Sequence, residues 1–479
     1  MSKPKQPSDT SNQPGPKVAH RKRTRPQQQE TPSVFQPNAA GIDIGAREIY
    51  IAVPADRDEH PVRKCGTFTS DLHQMAEWLV NCGITTAAME STGVYWIPVY
   101  DVLEQHGIQV CLVNPRNMKN VPGKRTDFHE CQWIQHLHAM GLLQSAFRPE
   151  AEVCAVRTLM RQRNDLVQMA SQHVQHMQKA LTQMNVQFHH VISDITGLTG
   201  MAILDAIVAG ERDPAVLAKL RDHRIKASEE TIQKSLEGNW RSEQILVLKQ
   251  RLSLYRSYGE QIIDCDREIE KLIAAFEPRV DLEEKPLPED RKQQQRRRQN
   301  KSGSPDFNMR TEAYKLFGVD LTQVPGLMML VFMLFSEVGR DMSRWPTAAH
   351  FVSWLGLCPD NDISGGKVLW RGARRTKNRA GTLFRLAAHS LHHDKTPMGD
   401  YLRRMKAKLG PAAATTATAH KIAIIFYTMI KNQVEFDISL WAERDAMRQR
   451  RLDARLHRQA AQRGYKLVPL EETATRVTD

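Results

Sequence analysis

The chain has 479 residues and a formal net charge of +13, with an isoelectric point of about 9.4. This length predicts roughly three domains, and the positive charge predicts an anionic partner, nucleic acid ahead of a membrane surface. The apolar runs fall short of the roughly 18 residues that span a bilayer, and seven scattered cysteines without a Cys-x-x-Cys pair disfavour a disulfide framework or a zinc site and favour a reducing cytoplasm.

The first segment, residues 1–38, is rich in proline, glutamine, serine and basic residues. This composition predicts a disordered basic arm, because such a segment cannot bury enough apolar surface to fold. Two interpretations of the arm stay open: electrostatic attachment to phosphates, and a solubilising tail.

The next segment, residues 39–149, alternates between strand and helix patterns. Strands are predicted over 41–44, 48–53, 63–69, 85–89 and 108–113, and helices over 72–80 and 94–105. Three early strands followed by strand–helix units are the order of an RNase H-like mixed sheet. In such a sheet, we expect the acid on the first strand to lie close to the acid that ends the fourth.

The rest of the chain is predicted to be mostly helical. Within residues 150–276, heptad spacing from Leu166 to Met184 and from Ile245 to Phe276 predicts two coiled-coil seams, which can pair as an antiparallel hairpin within the chain or between protomers. The remaining predictions are a low-complexity basic linker or insertion (277–310), a mostly helical globular region (311–435, with helices over 327–338, 348–357, 382–392 and 419–430) and a charged helix with a tail (436–479).

Four acids carry the first chemical signal. Asp43 lies in residues 41–45 (GIDIG), Glu90 closes an apolar run, and Asp127 and Glu130 are three residues apart on one face of a predicted helix. Acids at the ends of buried strands are costly without a cation or a proton. Convergence of all four would form a Mg²⁺ site for phosphoryl transfer. Each acid alone has a common structural explanation, as a turn former or part of a solvated face.

Two features around these acids suggest contacts with a nucleic acid. The glycines on either side of Asp43 are expected to let a phosphate backbone approach closely. Lys124 and Arg125, in the basic loop before Asp127, are candidates to hold the strand to be cut.

A second constellation lies at residues 361–367, which read NDISGGK. Ser364 precedes two glycines, so its hydroxyl is expected to be accessible to a bulky phosphate. A run of cations without an intervening acid follows and is expected to bind DNA phosphates; it comprises Lys367, Arg371, Arg374, Arg375, Lys377 and Arg379. From spacing alone, an ordinary Ser-Gly-Gly turn is the commoner interpretation of Ser364.

Several motifs resemble one family. Residues 41–45 (GIDIG), 89–96 (MESTGVYW), 114–116 (NPR) and 124–133 (KRTDFHECQW) resemble the N-terminal domain of DEDD-type insertion-sequence transposases. Residues 324–326 (VPG), 354–359 (WLGLCP) and 363–367 (ISGGK) resemble the C-terminal transposase domain of the same group. This group is related to Piv-type DNA invertases and includes the bridge-RNA-guided recombinases.

The resemblance implies a RuvC-like domain of RNase H fold that binds Mg²⁺. Asp43, Glu90 and Asp127 match its first three acids, whereas Glu130 stands where the family usually has aspartate. It also implies that Ser364 is the nucleophile that forms a transient phosphoserine link to DNA.

The function implied is that of a transposase or site-specific recombinase of a mobile element. Its partners would be double-stranded DNA (element ends and target), a non-coding guide RNA and other copies of the chain in a dimer or tetramer, near the bacterial nucleoid. Three alternatives stay open: a RuvC-like nuclease that uses water as nucleophile, an ATPase of the actin-like fold suggested by the GIDIG start, and a basic RNA- or DNA-binding protein with a degenerate site.

Overall fold

The computed structural model describes residues 34–91, 93–114, 126–289, 305, 307–359, 361–370, 372 and 378–468. Most of the predicted basic arm and residues 290–304 of the predicted linker therefore lie outside the described residues. The chain divides into two compact units between Arg148 and Pro149. The first holds a mixed α/β sheet and the second is mostly helical, which confirms the predicted order of classes along the chain.

The N-terminal unit contains a five-stranded sheet in the order β3-β2-β1-β4-β5. Its strands are β1 (Ala39–Ile44), β2 (Ile49–Ala52), β3 (Val62–Cys65), β4 (Thr86–Glu90) and β5 (Gln109–Val113). The first three strands are antiparallel neighbours, while β4 runs parallel to both β1 and β5. The accompanying helices are α1 (Thr69–Asn81), α2 (Trp96–Gln105) and α3 (Asp127–Ala139).

The predicted strands are all present, but the third is shorter than expected. It ends at Cys65 rather than near Thr69, because the Asp71 carboxylate accepts a hydrogen bond of 3.1 Å from the Phe68 backbone N–H. This contact ties the chain to the start of α1 and removes it from the sheet edge.

Helices cover both faces of this sheet. Ile42 of β1 and Met89 of β4 belong to a core shared with α1 and α2. Ala88 of β4 instead packs with Ile134 of α3. Because side chains alternate along a strand, the residues after Ile42 and Met89 project toward the side of the sheet on which α3 lies.

The second unit begins with a long antiparallel helical hairpin. Helices α4 (Ala151–Gln183) and α8 (Ser242–Ala274) contain 33 residues each and pack along their length. The ring of His173 on α4 stacks on that of Tyr258 on α8 at 5.2 Å between centroids. The two predicted seams therefore pair within the chain, which decides between the two arrangements left open by the heptad pattern.

A buried ion pair interrupts this seam. Arg163 and Asp266 are 7% and 2% exposed, and Arg163 donates two hydrogen bonds to the carboxylate, one of them 3.2 Å long. A charge pair placed among apolar seam residues penalises any register that separates its members. We infer that it fixes how α4 and α8 align.

The chain between α4 and α8 folds back as a small helical cluster, with Phe188 and Ile203 in its core. Its helices are α5 (Leu198–Ala209), α6 (Pro214–Ala218) and α7 (Glu229–Leu236). Short 3₁₀ helices of the second unit cover Phe188–His190, Leu321–Gln323, Met328–Leu330 and Leu391–His393.

The C-terminal part surrounds an aromatic core that includes Phe317, Phe351 and Phe426. Its helices are α9 (Met309–Phe317), α10 (Val331–Val338), α11 (Ala348–Trp354), α12 (Arg379–Ser390), α13 (Pro397–Leu409), α14 (Pro411–Asn432) and α15 (Ser439–Gln462). No helix in the described part of the chain is long and apolar enough to cross a membrane.

Several boundaries in this part differ from the predictions: α10 begins at 331 rather than 327, α11 ends at 354 rather than 357, and α14 begins at 411 rather than 419. Helix α12 starts three residues earlier than expected, because the Asn378 side chain accepts a hydrogen bond of 2.9 Å from the Gly381 N–H and caps the helix. Two short strands, β6 (Asp362–Ser364) and β7 (Lys367–Trp370), form an antiparallel hairpin where only helices and a loop were expected.

Candidate carboxylate and serine sites

Strand register brings two of the four acids side by side. In the parallel pair of β1 and β4, Ile42 is opposite Met89. Asp43 and Glu90 are the next residues on the two strands, and neighbouring strands lie about 4.8 Å apart. The expectation that these two acids lie close together is confirmed.

The other two acids come from the first turn of α3. Thr126 precedes this helix, and Asp127 and Glu130 are its acidic first-turn residues. Negative charge near a helix N-terminus is stabilised by the helix dipole. The packing of α3 on β1 carries this turn to the end of the strand at which Asp43 lies.

Gly41 allows this close packing. A Cβ atom at position 41 would lie 2.2 Å from the Gln135 backbone nitrogen and 2.3 Å from the Cys131 carbonyl oxygen. The α3 backbone therefore occupies the space beside Gly41. The expectation that Gly41 admits a phosphate backbone is wrong, because a helix of this chain fills that space.

The four acids line one open cavity of about 550 Å³. Asp43, Glu90 and Glu130 are partly buried, and Asp127 is exposed. In the described part of the chain, no three His, Cys, Asp or Glu side chains are gathered closely enough to hold a metal ion as they stand. The structure thus assembles the acids around one cavity rather than around one point.

The acids act on one another electrostatically. Burial and, after it, the negative charges of Glu130, Asp127 and Glu90 together raise the pKa of Asp43 to about 6, against a lowering by the Ile44 backbone N–H. Beneath the acids, burial raises the pKa of the Cys131 thiol to about 12. That thiol is neutral at physiological pH, so the charge of the site comes from carboxylates.

Ser364 ends β6 and faces Lys367 across the hairpin. Gly365 and Gly366 form the turn with φ of +55° and +76°, the backbone of a two-residue turn that favours glycine at both positions. Ser364 is exposed. The interpretation as a Ser-Gly-Gly turn is therefore correct for the backbone, and the serine hydroxyl is open to solvent.

The predicted cationic residues are only partly described. Lys367 is exposed on β7, and Arg379 is exposed at the start of α12. The others lie outside the described residues; they are Lys124, Arg125, Arg371, Arg374, Arg375 and Lys377.

Two family models match the chain. A DEDD transposase model of the IS110 type matches residues 40–186, and a model of the transposase IS116/IS110/IS902 family matches residues 320–403. The first range contains all four acids and the second contains Ser364. The chain belongs to the IS110-type DEDD transposases. No curated protein matches it.

Membership in this family makes DNA the substrate of the transposase. DEDD transposases usually use a divalent metal, so the residues of the acid cavity can be compared with the ligands that such a metal needs. Carboxylate oxygens are the ligands that Mg²⁺ prefers, and a cation would favour the Asp43 charge that burial and the neighbouring acids disfavour. The donor chemistry of these residues therefore suits such an ion, although in the described part of the chain the acids are not gathered closely enough to hold one as they stand.

The sequence did not point to three further residues that line the acid cavity of the transposase: Arg47, Glu48 and Tyr50. Tyr50 is opposite Asp43 in the β1–β2 register, and Glu48 pairs with Lys64 at 2.6 Å. Arg47 is an exposed cation beside four acids. The only sequence signal for them was their position in the short turn after the first acidic strand.

Proposed function

We propose that this transposase cuts and rejoins DNA at a mobile element by combining its carboxylate cavity with Ser364 as nucleophile. The observation that carries the proposal is the convergence of four acids, from two strands and a helix, on one cavity in which burial and the neighbouring acids raise the pKa of Asp43. The order β3-β2-β1-β4-β5 supports assigning the N-terminal domain to the RuvC-like, RNase H fold.

In this proposal, Asp43, Glu90, Asp127 and Glu130 would hold Mg²⁺, which supplies Lewis-acid stabilisation of charge on the phosphoryl oxygens. Glu130 is one methylene longer than the aspartate usual in the family. Its place on the first turn of α3, three residues after Asp127, puts both carboxylates on one side of that helix.

In this proposal, Ser364 takes part in a reversible exchange of phosphate ester bonds. Its Oγ forms a bond to a DNA phosphorus while the bond from that phosphorus to a deoxyribose oxygen breaks. The serine proton leaves and the released oxygen gains a proton; attack by another DNA hydroxyl reverses the exchange and frees the serine. Exposure of Ser364 at a two-glycine turn supports this role.

Lys367 stands opposite Ser364 in the hairpin, where its ammonium can bind a phosphate held at the serine. We likewise propose that the cations that follow it along the chain contact DNA; they are Arg371, Arg374, Arg375, Lys377 and Arg379. Lys124 and Arg125 keep the proposed role of holding the strand next to the acids.

We also propose that a non-coding RNA guides the transposase to its target and that the chain works as a dimer or tetramer. The net charge of +13 supports binding of nucleic acid beyond the reacting bonds. Sequencing of RNA that co-purifies with the protein tests the guide. A discrete RNA from the flank of the gene is expected, and a purified protein that recombines DNA without RNA would contradict it.

The catalytic proposal is tested with duplex DNA that carries the element ends. The wild type is expected to cleave it with Mg²⁺ and not with EDTA, and Asp43→Asn is expected to lower the rate at least about 100-fold, the effect of losing one group that stabilises the transition state. Glu59→Gln, at an exposed position outside the cavity, is the matched control. Cleavage retained by Asp43→Asn would refute the carboxylate site.

A further inference from the structure

Helix α15 is a 24-residue helix that follows both of the segments matched by the transposase family models. Every residue from 446 to 459 is exposed, including Leu456, which is 54% exposed. The described part of the chain therefore leaves this stretch uncovered on all sides.

Three arginines of α15 form one stripe, defined by Arg451, Arg455 and Arg458. Their spacing of four and three residues places them on one face of a helix, and Arg448, three residues before, continues the spacing. In the described part of the chain, Arg451, Arg455 and Arg458 make no ion pair within 4 Å. Asp453, the acid between residues 446 and 462, lies about 170° around the helix from the stripe.

Such a stripe is costly for an uncovered helix. Like charges three and four residues apart destabilise a helix by a few tenths of a kcal/mol per pair, and a helix without tertiary packing is only marginally stable in water. A polyanion along the stripe would offset this repulsion. The concentration of positive charge on one face of α15 thus favours contact with an extended anionic partner over contact with solvent.

Dimensions favour duplex DNA among such partners. An α-helix with its side chains is about 10–12 Å wide, and the B-DNA major groove, about 12 Å wide, admits one. The major groove of an RNA duplex is too narrow and deep for this. The stripe spans about 10 Å along the helix, over which a DNA duplex presents about six phosphate charges.

We propose that the Arg451–Arg455–Arg458 stripe binds the phosphate backbone of duplex DNA and so contributes to the hold on the substrate. This inference rests on the proposed function, since it takes DNA as the substrate. It assigns a DNA contact to a helix that neither family model covers.

The test compares two triple variants that remove the same charge. The stripe variant is Arg451→Gln/Arg455→Gln/Arg458→Gln. The control is Arg450→Gln/Arg463→Gln/Lys466→Gln, whose residues are also exposed but lie off the stripe. Glutamine has nearly the helix propensity of arginine, so far-UV circular dichroism should be unchanged in both.

Fluorescence anisotropy measures the affinity for a 30-base-pair duplex over a range of salt concentrations. Because each phosphate contact contributes about 0.9 to the slope of log K against log salt, the stripe variant should lose about 3 from this slope and at least about tenfold in affinity. The control should keep the wild-type slope.

Three results would overturn the inference: a wild-type slope in the stripe variant, an equal loss in both triples, or a loss for duplex RNA with DNA binding intact. A wild type that binds no duplex DNA would instead refute the proposed function. The two failures are therefore distinguishable in one experiment.

Discussion

Removal of the Asp43 charge should stabilise the metal-free transposase. The pKa of Asp43 is raised from 3.8 to about 6 by burial and by the three neighbouring acids. The folded state therefore holds the Asp43 proton more tightly than the unfolded state. The stability that Asp43 contributes through this proton is fully present below pH 3.8 and is lost as pH rises from there to about 6. Asp43→Asn, which is never charged, escapes this loss.

The size of the effect follows from the shift. One pKa unit corresponds to about 1.4 kcal/mol, so the ionised Asp43 costs at most about 3 kcal/mol at pH 7.5 and at most about 1 kcal/mol at pH 4.5; solvent screening of the partly exposed carboxylate makes both costs smaller than these limits. In EDTA, Asp43→Asn should therefore gain up to these amounts over the wild type at the two pH values. Millimolar Mg²⁺ should then stabilise the wild type more than the variant, since a ligand stabilises the state that binds it.

Hydrogen exchange of peptides from β1 and β4 is a suitable assay. It reports the stability of the N-terminal unit alone, whereas a chain of two units need not unfold in one step. Glu48→Gln is a matched control from the same cavity. The side-chain contact with Lys64 lowers the pKa of Glu48, so neutralising Glu48 should not stabilise the protein.

Two outcomes would refute this reasoning. One is an Asp43→Asn variant in EDTA at pH 7.5 that exchanges as fast as the wild type. The other is a Glu48→Gln variant that gains as much protection as Asp43→Asn. Either result would mean that burial and the neighbouring acids do not disfavour the Asp43 charge as its place in the cavity implies.

Three further predictions concern other parts of the fold. Gly41→Ala should displace α3 and lower both the thermal stability and the rate of DNA cleavage, because the new Cβ would lie 2.2 Å from a backbone atom. Gly259→Ala is the control, because the space around Gly259 is open, and it should lower neither quantity. A loss in both variants would mean that the effect is not specific to position 41. Asp266→Ala should cost about 3–5 kcal/mol in urea unfolding followed by circular dichroism, since it removes the carboxylate that pairs with the buried Arg163, and a loss below about 1 kcal/mol would contradict a stabilising buried pair. Arg47→Ala should slow DNA cleavage about tenfold, the value of one charge-assisted hydrogen bond of roughly 1.5 kcal/mol, and unchanged kinetics would exclude Arg47 from substrate contact.

The sequence was sufficient for the sheet and for the meeting of its acids. Apolar runs bounded by glycine and proline mark the strands, and parallel strands end at one edge. The order of the strands along the chain therefore predicts that Asp43 and Glu90 are neighbours, and the register of β1 and β4 confirms it. The first turn of α3 needed only the three-residue spacing of Asp127 and Glu130.

Other features depend on contacts that a linear pattern does not contain. The heptad pattern predicts only the apolar residues of the seam. It therefore does not predict that Arg163 and Asp266 are buried there. The role of Gly41 requires knowing that α3 crosses β1. Residues 363–370 of the β6–β7 hairpin are all exposed, so they lack the alternation of buried and exposed residues by which a strand is recognised.

The proposed covalent link between Ser364 and DNA can be detected directly. Wild-type protein with its co-purified RNA is incubated with Mg²⁺ and the element-end and target duplexes, denatured and digested, and the peptide–nucleotide adduct is located by mass spectrometry. We predict one adduct, on Ser364, which is absent from Ser364→Ala together with recombination. Recombinant product from Ser364→Ala, or from the wild type without any adduct, would contradict the account and favour water as the nucleophile.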